Sequence, residues 1–218
     1  KHAIMTNSGS SANLLMIGSL IEKGLLKTGD EVIVPAVSWS TTYFPLHQYG
    51  LKMVFVDTDP FGNIDPIEIK KAINKNTKCV FVVNLLGFPA DLENIKNIAL
   101  QNNIILIEDN CESFGAHVNG LYCGTWGLIG TLSFFYSHHI TTMEGGCILT
   151  NDDTLADYSR VLRSHGWIRD IKDKEKKYRT GNDFKDKFRF ILPGYCVRPS
   201  ELNAAVGQVQ LTKWPMQI

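Results

Sequence analysis

Cys79-Val80-Phe81-Val82-Val83-Asn84 carries no polar residue until its last position. Asp91 then reads as the cap of a helix over 91–101. A second apolar run follows, Ile104-Ile105-Leu106-Ile107-Glu108-Asp109-Asn110, and ends in two carboxylates. Strands that are apolar throughout belong to sheets covered on both faces. A strand, a helix and another strand of this kind make a crossover unit with parallel strands.

The same alternation extends outward in both directions. Upstream, Glu31-Val32-Ile33-Val34-Pro35 and Met53-Val54-Phe55-Val56-Asp57 read as strands, with a helix over 41–49 between them and a short helix over 66–73 after. The chain opens in a strand-like run, residues 1–6. Asn7-Ser8-Gly9-Ser10-Ser11-Ala12-Asn13 then introduces a helix with apolar positions Leu14, Leu15, Ile17, Leu20 and Ile21. Downstream, 115–128 is rich in glycine and reads as loop. Residues 131–136 and 147–150 read as strands, and 152–162 as a helix capped by Asn151 or Asp152. The charge-dense stretch 172–187 reads as a solvated loop. A last helix over 202–211 offers Ala204, Ala205, Val206 and Val209 for packing. The predicted fold is α/β, a mostly parallel sheet with helices on both faces.

Composition narrows the function. The 218 residues suffice for one large domain. Twenty-two basic residues balance twenty-two acidic ones, so no basic excess points to nucleic acid. No apolar run reaches the roughly 20 residues that span a bilayer, so no membrane partner is expected. Cys79, Cys111, Cys123, Cys147 and Cys196 are scattered, without the spacing of a zinc or iron–sulfur site. An odd cysteine count without a signal-peptide pattern reads as reduced thiols in a cytoplasm. Both ends look cut, as in a fragment of a longer protein.

Chemistry-bearing residues recur where predicted strands end, which is where open α/β sheets bind ligands. Gly9, Ser10 and Ser11 open a helix and read either as an ordinary cap or as an anion site. Trp39, in the loop before a helix, reads as a core anchor or as an exposed stacking surface. Glu108 and Asp109 read as a solvated strand end, as caps, or as partners of a cationic group. Ser133-Phe134-Phe135-Tyr136-Ser137-His138-His139-Ile140-Thr141-Thr142-Met143-Glu144-Gly145-Gly146 closes a strand with a hydroxyl and two histidines. Together these groups suit a flat phosphorylated heteroaromatic. The helix start would hold its phosphate and Trp39 would stack on its ring. Asp109 would hold a ring nitrogen protonated, and a histidine would move protons.

The stretches 7–13, 107–112 and 133–146 resemble the DegT/DnrJ/EryC1/StrS family of pyridoxal-phosphate sugar aminotransferases. The resemblance implies an aspartate-aminotransferase-like (fold type I) large domain over 1–218. An N-terminal segment and the small C-terminal domain would be missing. It implies that Gly9, Ser10 and Ser133 bind the cofactor phosphate, that Trp39 stacks on its ring, that Asp109 meets the pyridine nitrogen, and that Glu112 lies near the ring hydroxyl. In the aminotransferases the residue five after the strand serine is the lysine that captures the cofactor covalently. Here it is His138, with His139 as support. That exchange resembles the family's 3-dehydratase branch.

The implied activity is removal of the C3 hydroxyl from a nucleotide-linked 4-keto-6-deoxyhexose in deoxysugar and O-antigen biosynthesis. The pyridoxal and pyridoxamine forms of the cofactor would be used, with glutamate as amino donor and His138 as base. The alternatives are amino transfer to the same kind of sugar, or binding without turnover. His165 would assist at the substrate. One type within this branch carries an iron–sulfur cluster on cysteines after 163–167. Residues 168–187 contain no cysteine, so no cluster is expected, and the type acting on a GDP-linked sugar is favoured. A homodimer is implied. Two positions depart from the family pattern. Cys196 stands where asparagine is usual, and Met143 stands where glycine is common.

Overall fold

The structure is a computed structural model and describes residues 1–171, 178 and 180–214. In chain order its elements are β1 (His2–Thr6), α1 (Gly9–Glu22), β2 (Glu31–Pro35), α2 (Ser40–Gln48), β3 (Lys52–Val56), α3 (Pro66–Ala72), β4 (Thr77–Val83), α4 (Leu92–Gln101), β5 (Ile105–Asp109), β6 (His117–Val118), β7 (Leu121–Tyr122), β8 (Ile129–Ser133), β9 (Gly146–Thr150), α5 (Asp153–Arg163), α6 (Asp183–Lys187) and α7 (Glu201–Lys213). Seven strands form one sheet in the order β1-β9-β8-β5-β4-β2-β3, and β6 with β7 makes a small hairpin inside the stretch expected to be loop. The pairs β2–β3, β2–β4, β4–β5 and β5–β8 are parallel. Only β9 runs against its neighbours, so the sheet is mostly parallel, as expected.

The helices start where the sequence places their caps. Ser8 accepts from Ser11 N–H, Asp91 from Asn94 N–H and Asp152 from Leu155 N–H, each satisfying a donor that a helix start leaves free. Both faces of the sheet are covered. Leu15, Met16, Ile17, Leu20, Phe81 and Ile107 belong to the core on one side; Val80, Val82, Ile95 and Leu106 belong to the core on the other. Alternate residues of β4 and β5 point to opposite cores.

The last helix departs from the expectation. None of its residues is buried, and Leu202, Val209 and Leu211 are more than half exposed. Ala204, Ala205, Val206 and Val209 therefore pack no core among the described residues. The charge-dense stretch is not all loop: α6 occupies 183–187, while 172–177 and 179 lie outside the described residues.

The register brings the carboxyl ends of the strands together. Thr6 of β1 and Ser133 of β8 both lie opposite Gly146 of β9. α1 begins three residues after Thr6, so its first turn abuts the end of β8. A Cβ on Gly9 would come within 2.6 Å of Ser133 Cβ, and one on Gly146 would overlap the Ser8 carbonyl. Glycine at both positions lets a helix start and two strand ends converge on one point.

Candidate active site

A cavity of about 370 Å³ opens at these strand ends. Gly9, Ser10, Trp39, Asp109, Glu112, Ser133 and His138, seven of the eight residues singled out by sequence, line it. They come from the starts of α1 and α2, the ends of β5 and β8, and the loop after β8.

Asp109 is 4% exposed, so it is not a solvated strand end. Its Oδ2 accepts from Asn13 Nδ2 and Thr42 Oγ1, each at 2.8 Å, and its Oδ1 accepts from Cys111 N–H at 3.1 Å. An ionised carboxylate accepts about four hydrogen bonds. Three conventional donors are in place, which leaves Oδ1 with capacity for one more. The Cys111 thiol lies beside it. Burial first, and then the charge of Asp109, pushes that thiol well above the ordinary cysteine range. A neutral thiol is a weak donor that a cationic N–H displaces readily.

A buried polar network stands behind Asp109. Asn13 Oδ1 accepts from Thr131 Oγ1 at 2.7 Å, and Ser38 faces Thr42 at 3.0 Å. Thr42 gives its one proton to Asp109, so Ser38 must be the donor to Thr42. Asn13, Thr42 and Thr131 are buried. The available signal was Asn13, an amide on an otherwise apolar helix face. Its partners on α2 and β8 are far away in sequence.

Glu108 has a different fate from its neighbour. It is fully buried and points away from the cavity. Trp126 and Gly127 N–H donate to Oε1, and Gly124 N–H and Asn84 Nδ2 donate to Oε2. The four acceptor positions are filled. Burial pushes this carboxyl up, against the pull of those donors. Glu108 organises the loop 122–127, and the expectation of a solvated or ligand-facing acid does not hold for it.

Trp39 is 68% exposed, so it is no core anchor; it caps the start of α2 and presents its indole at the cavity. Glu112 accepts from Leu86 N–H at 3.2 Å, which ties the loop after β4 to the rim. Ser133 is buried and its Oγ accepts from Phe135 N–H at 3.3 Å. His138 follows a tight turn closed by its own N–H to Phe135 O, at 3.0 Å, and its ring meets the Phe135 ring edge to face. His138 Nδ1 is buried without a hydrogen-bond partner among the described residues. A buried imidazole nitrogen without a partner is costly unless a ligand or water meets it. His139 is exposed and does not line the cavity.

His165 is the exception among the eight. It lies outside the cavity with φ +61°, beside Arg198 at 3.5 Å, and Cys196 is exposed near the same guanidinium. Met143 adopts φ +69°, the left-handed conformation that glycine takes without cost. The departure noted in the sequence is therefore a conformational one. No group of three or more His, Cys, Asp or Glu among the described residues could hold a metal ion. No described helix is long and apolar enough to cross a membrane.

The donor set fits a phosphorylated cationic heteroaromatic. Ser8, Gly9 and Ser10, at the start of α1, line the cavity together with Ser133, and the positive end of a helix favours an anion there. Asp109 offers a spare acceptor and a negative charge to a ring N–H.

Comparison with known proteins agrees. The model of the DegT/DnrJ/EryC1/StrS aminotransferase family matches residues 1–218. GDP-4-keto-6-deoxy-D-mannose 3-dehydratase of Escherichia coli O55:H7 is 51% identical over 99% of this chain and 57% of its own length. A crystal structure of GDP-4-keto-6-deoxymannose-3-dehydratase with a trapped PLP-glutamate geminal diamine superposes with a TM-score of 0.94. The two are 51% identical over 99% of this chain and 57% of that one. A histidine-to-asparagine mutant of such an enzyme, with bound GDP-perosamine, gives the same TM-score at 50% identity and the same coverage. The fold is thus the fold type I architecture expected, and the chain spans a little over half the length of these relatives.

Proposed function

We propose, for a chain that belongs to the DegT/DnrJ/EryC1/StrS aminotransferase family, that it carries the cofactor site of a 3-dehydratase acting on a GDP-linked 4-keto-6-deoxy sugar. The observation that carries this reading is His138. By the family resemblance it stands where the aminotransferases have the cofactor-capturing lysine; it lines the cavity and has a buried ring nitrogen with no partner among the described residues. Relatives half identical to the chain bear that activity in their names.

Residues 1–218 serve in this reading as the cofactor-binding large domain of a homodimer. Pyridoxal or pyridoxamine phosphate is held by Gly9, Ser10 and Ser133 at its phosphate. Asp109 meets its ring nitrogen, Trp39 its face and Glu112 its ring hydroxyl. When bound, this cofactor supplies an electron-withdrawing ring next to the reacting carbon. Asp109, fixed by Asn13 and Thr42, holds the ring nitrogen protonated. His138 takes a proton at an imidazole nitrogen without forming a lasting covalent bond, which a lysine would do. The Phe135 ring packs against the imidazole edge to face.

The overall balance closes. The sugar exchanges its C3 hydroxyl for hydrogen, a two-electron reduction. Glutamate is oxidised to its 2-oxo acid by the same two electrons, and its nitrogen leaves as ammonia. His165, outside the cavity in one protomer, has a place in this reading only if the bound sugar nucleotide extends to it.

The test uses the full-length protein containing this chain, with the cofactor, glutamate and GDP-4-keto-6-deoxymannose. One ammonia should appear for each 3-deoxy ketosugar formed. Nitrogen retained in the sugar would assign amino transfer instead. Cofactor binding with neither product would assign a non-catalytic homologue.

A further inference from the structure

The loop that carries His138 is closed at its base by Phe134 N–H to Gly145 O and by Thr142 N–H to Phe134 O, each at 2.9 Å. Thr142 is the inner corner of this loop. It is 2% exposed, its hydroxyl donates to Glu144 O at 2.7 Å, and a Cβ on Gly145 would collide with that hydroxyl. The next residue, Met143, holds φ +69°, so the chain reverses here in a conformation its side chain disfavours. Such a conformation persists only where the surroundings over-determine it.

Part of that restraint comes from outside the loop. Asn203 Nδ2 donates to Thr142 O at 2.7 Å across 61 residues of chain. The other end of the same amide caps α7: Asn203 Oδ1 accepts from Ser200 N–H and from Ser200 Oγ, and Asn203 N–H donates to Ser200 Oγ. Gly207, one turn further along, lies against the Thr142 methyl group. A helix with no buried residue is thus attached at its first turns through the Asn203 amide and the Gly207 contact, and at its far end through the cap residue Trp214, which packs against Phe114 and Tyr122.

We infer that Asn203 is a positioning residue for the His138 loop. Its amide fixes the Thr142 carbonyl, and with it the reversal at Met143 that returns the loop to β9. It does not touch the cavity. The inference rests on the reading of His138 as occupant of the lysine slot, and the experiment separates the two.

The informative change is Asn203→Asp. A carboxylate preserves the cap by accepting from Ser200 N–H and Ser200 Oγ, but it has no donor for Thr142 O and places an oxygen against that carbonyl. The change is made in the His138→Lys background of the full-length protein. The readout is the visible absorption band of a lysine–pyridoxal adduct and its rate of formation. His138→Lys alone should show the band; its absence would overturn the placement of His138. With the band present, adding Asn203→Asp should slow its formation about tenfold, the scale expected for a displaced reacting group. An unchanged rate would overturn the role of Asn203. In the enzyme with His138 intact, Asn203→Asp should lower kcat about tenfold with KM for the sugar nucleotide within about twofold. A thermal melt completes the set. If Asn203→Asp unfolds the protein, Asn203→Ala, which removes the donor without adding charge, must give the same slowing.

Discussion

Glu108 and Asp109 are adjacent on one strand and equally apolar in their approach, yet they serve opposite ends. β5 alternation sends one side chain to each face of the sheet. On the Glu108 face four N–H donors converge and fill every acceptor position. On the Asp109 face three conventional donors fix the carboxylate, and the fourth acceptor position has only the weakly donating Cys111 thiol beside it, in a residue that lines a cavity. Both acids are buried, so burial alone does not separate structural from functional. The count of donors against lone pairs does.

The sharpest way to break this comparison is to remove each charge in turn. Asp109→Asn should lower turnover by about 10²–10³-fold, as loss of one aimed electrostatic partner does, while its thermal melt falls less than that of Glu108→Gln, because the new NH2 faces one N–H, that of Cys111, and not two. Retained turnover would mean that no ring nitrogen meets this carboxylate. Glu108→Gln should do the reverse. Its amide would face backbone N–H groups that need an acceptor, at a cost of about 2–4 kcal/mol in unfolding free energy. Cofactor affinity in the folded fraction should hold, and a weakened affinity at normal stability would place Glu108 in the site.

A smaller effect concerns the reversal beside the site. Met143→Gly relieves a left-handed non-glycine residue and should stabilise the protein by up to about 1 kcal/mol in denaturant unfolding. A loss of stability would show that the Met143 side chain itself packs. The smallest effect is on the thiols flanking each acid. Burial pushes Cys123, on the Glu108 side, up to about 12 and Cys111, on the Asp109 side, well above its ordinary range. A thiol raised in this way gains its reactive thiolate only at more alkaline pH. At pH 8 a thiol reagent should therefore label the exposed Cys196 fast and both of these slowly. Fast labelling of Cys111 would mean that the Asp109 pocket opens.

The same pair shows what a sequence discloses. The runs ending at Asn84 and Asp109 have no polar interruption, so a doubly covered parallel sheet is legible from them. The start of α1 is legible from Ser8, and the site's location from the serine and histidine at the end of β8. The partition of Glu108 and Asp109 is not. Period-two alternation says that they part, but the donors that decide their roles come from 84, 124–127, 13 and 42, and pairing over such separations leaves no local pattern. Trp39 was ambiguous for a related reason: its exposure depends on what the loop after β2 packs against. The last helix misled because its alanines and valines signal a packed face, and none of them is buried.

The most direct measurement is the ¹⁵N chemical shift of ring-labelled pyridoxal phosphate bound to the full-length protein, compared with its Asp109→Asn and Glu108→Gln variants. The ring nitrogen should be protonated near neutral pH in the wild type and in Glu108→Gln, and unprotonated in Asp109→Asn. An unprotonated nitrogen in the wild type, or one indifferent to Asp109, would contradict the assignment of the open carboxylate to the cofactor.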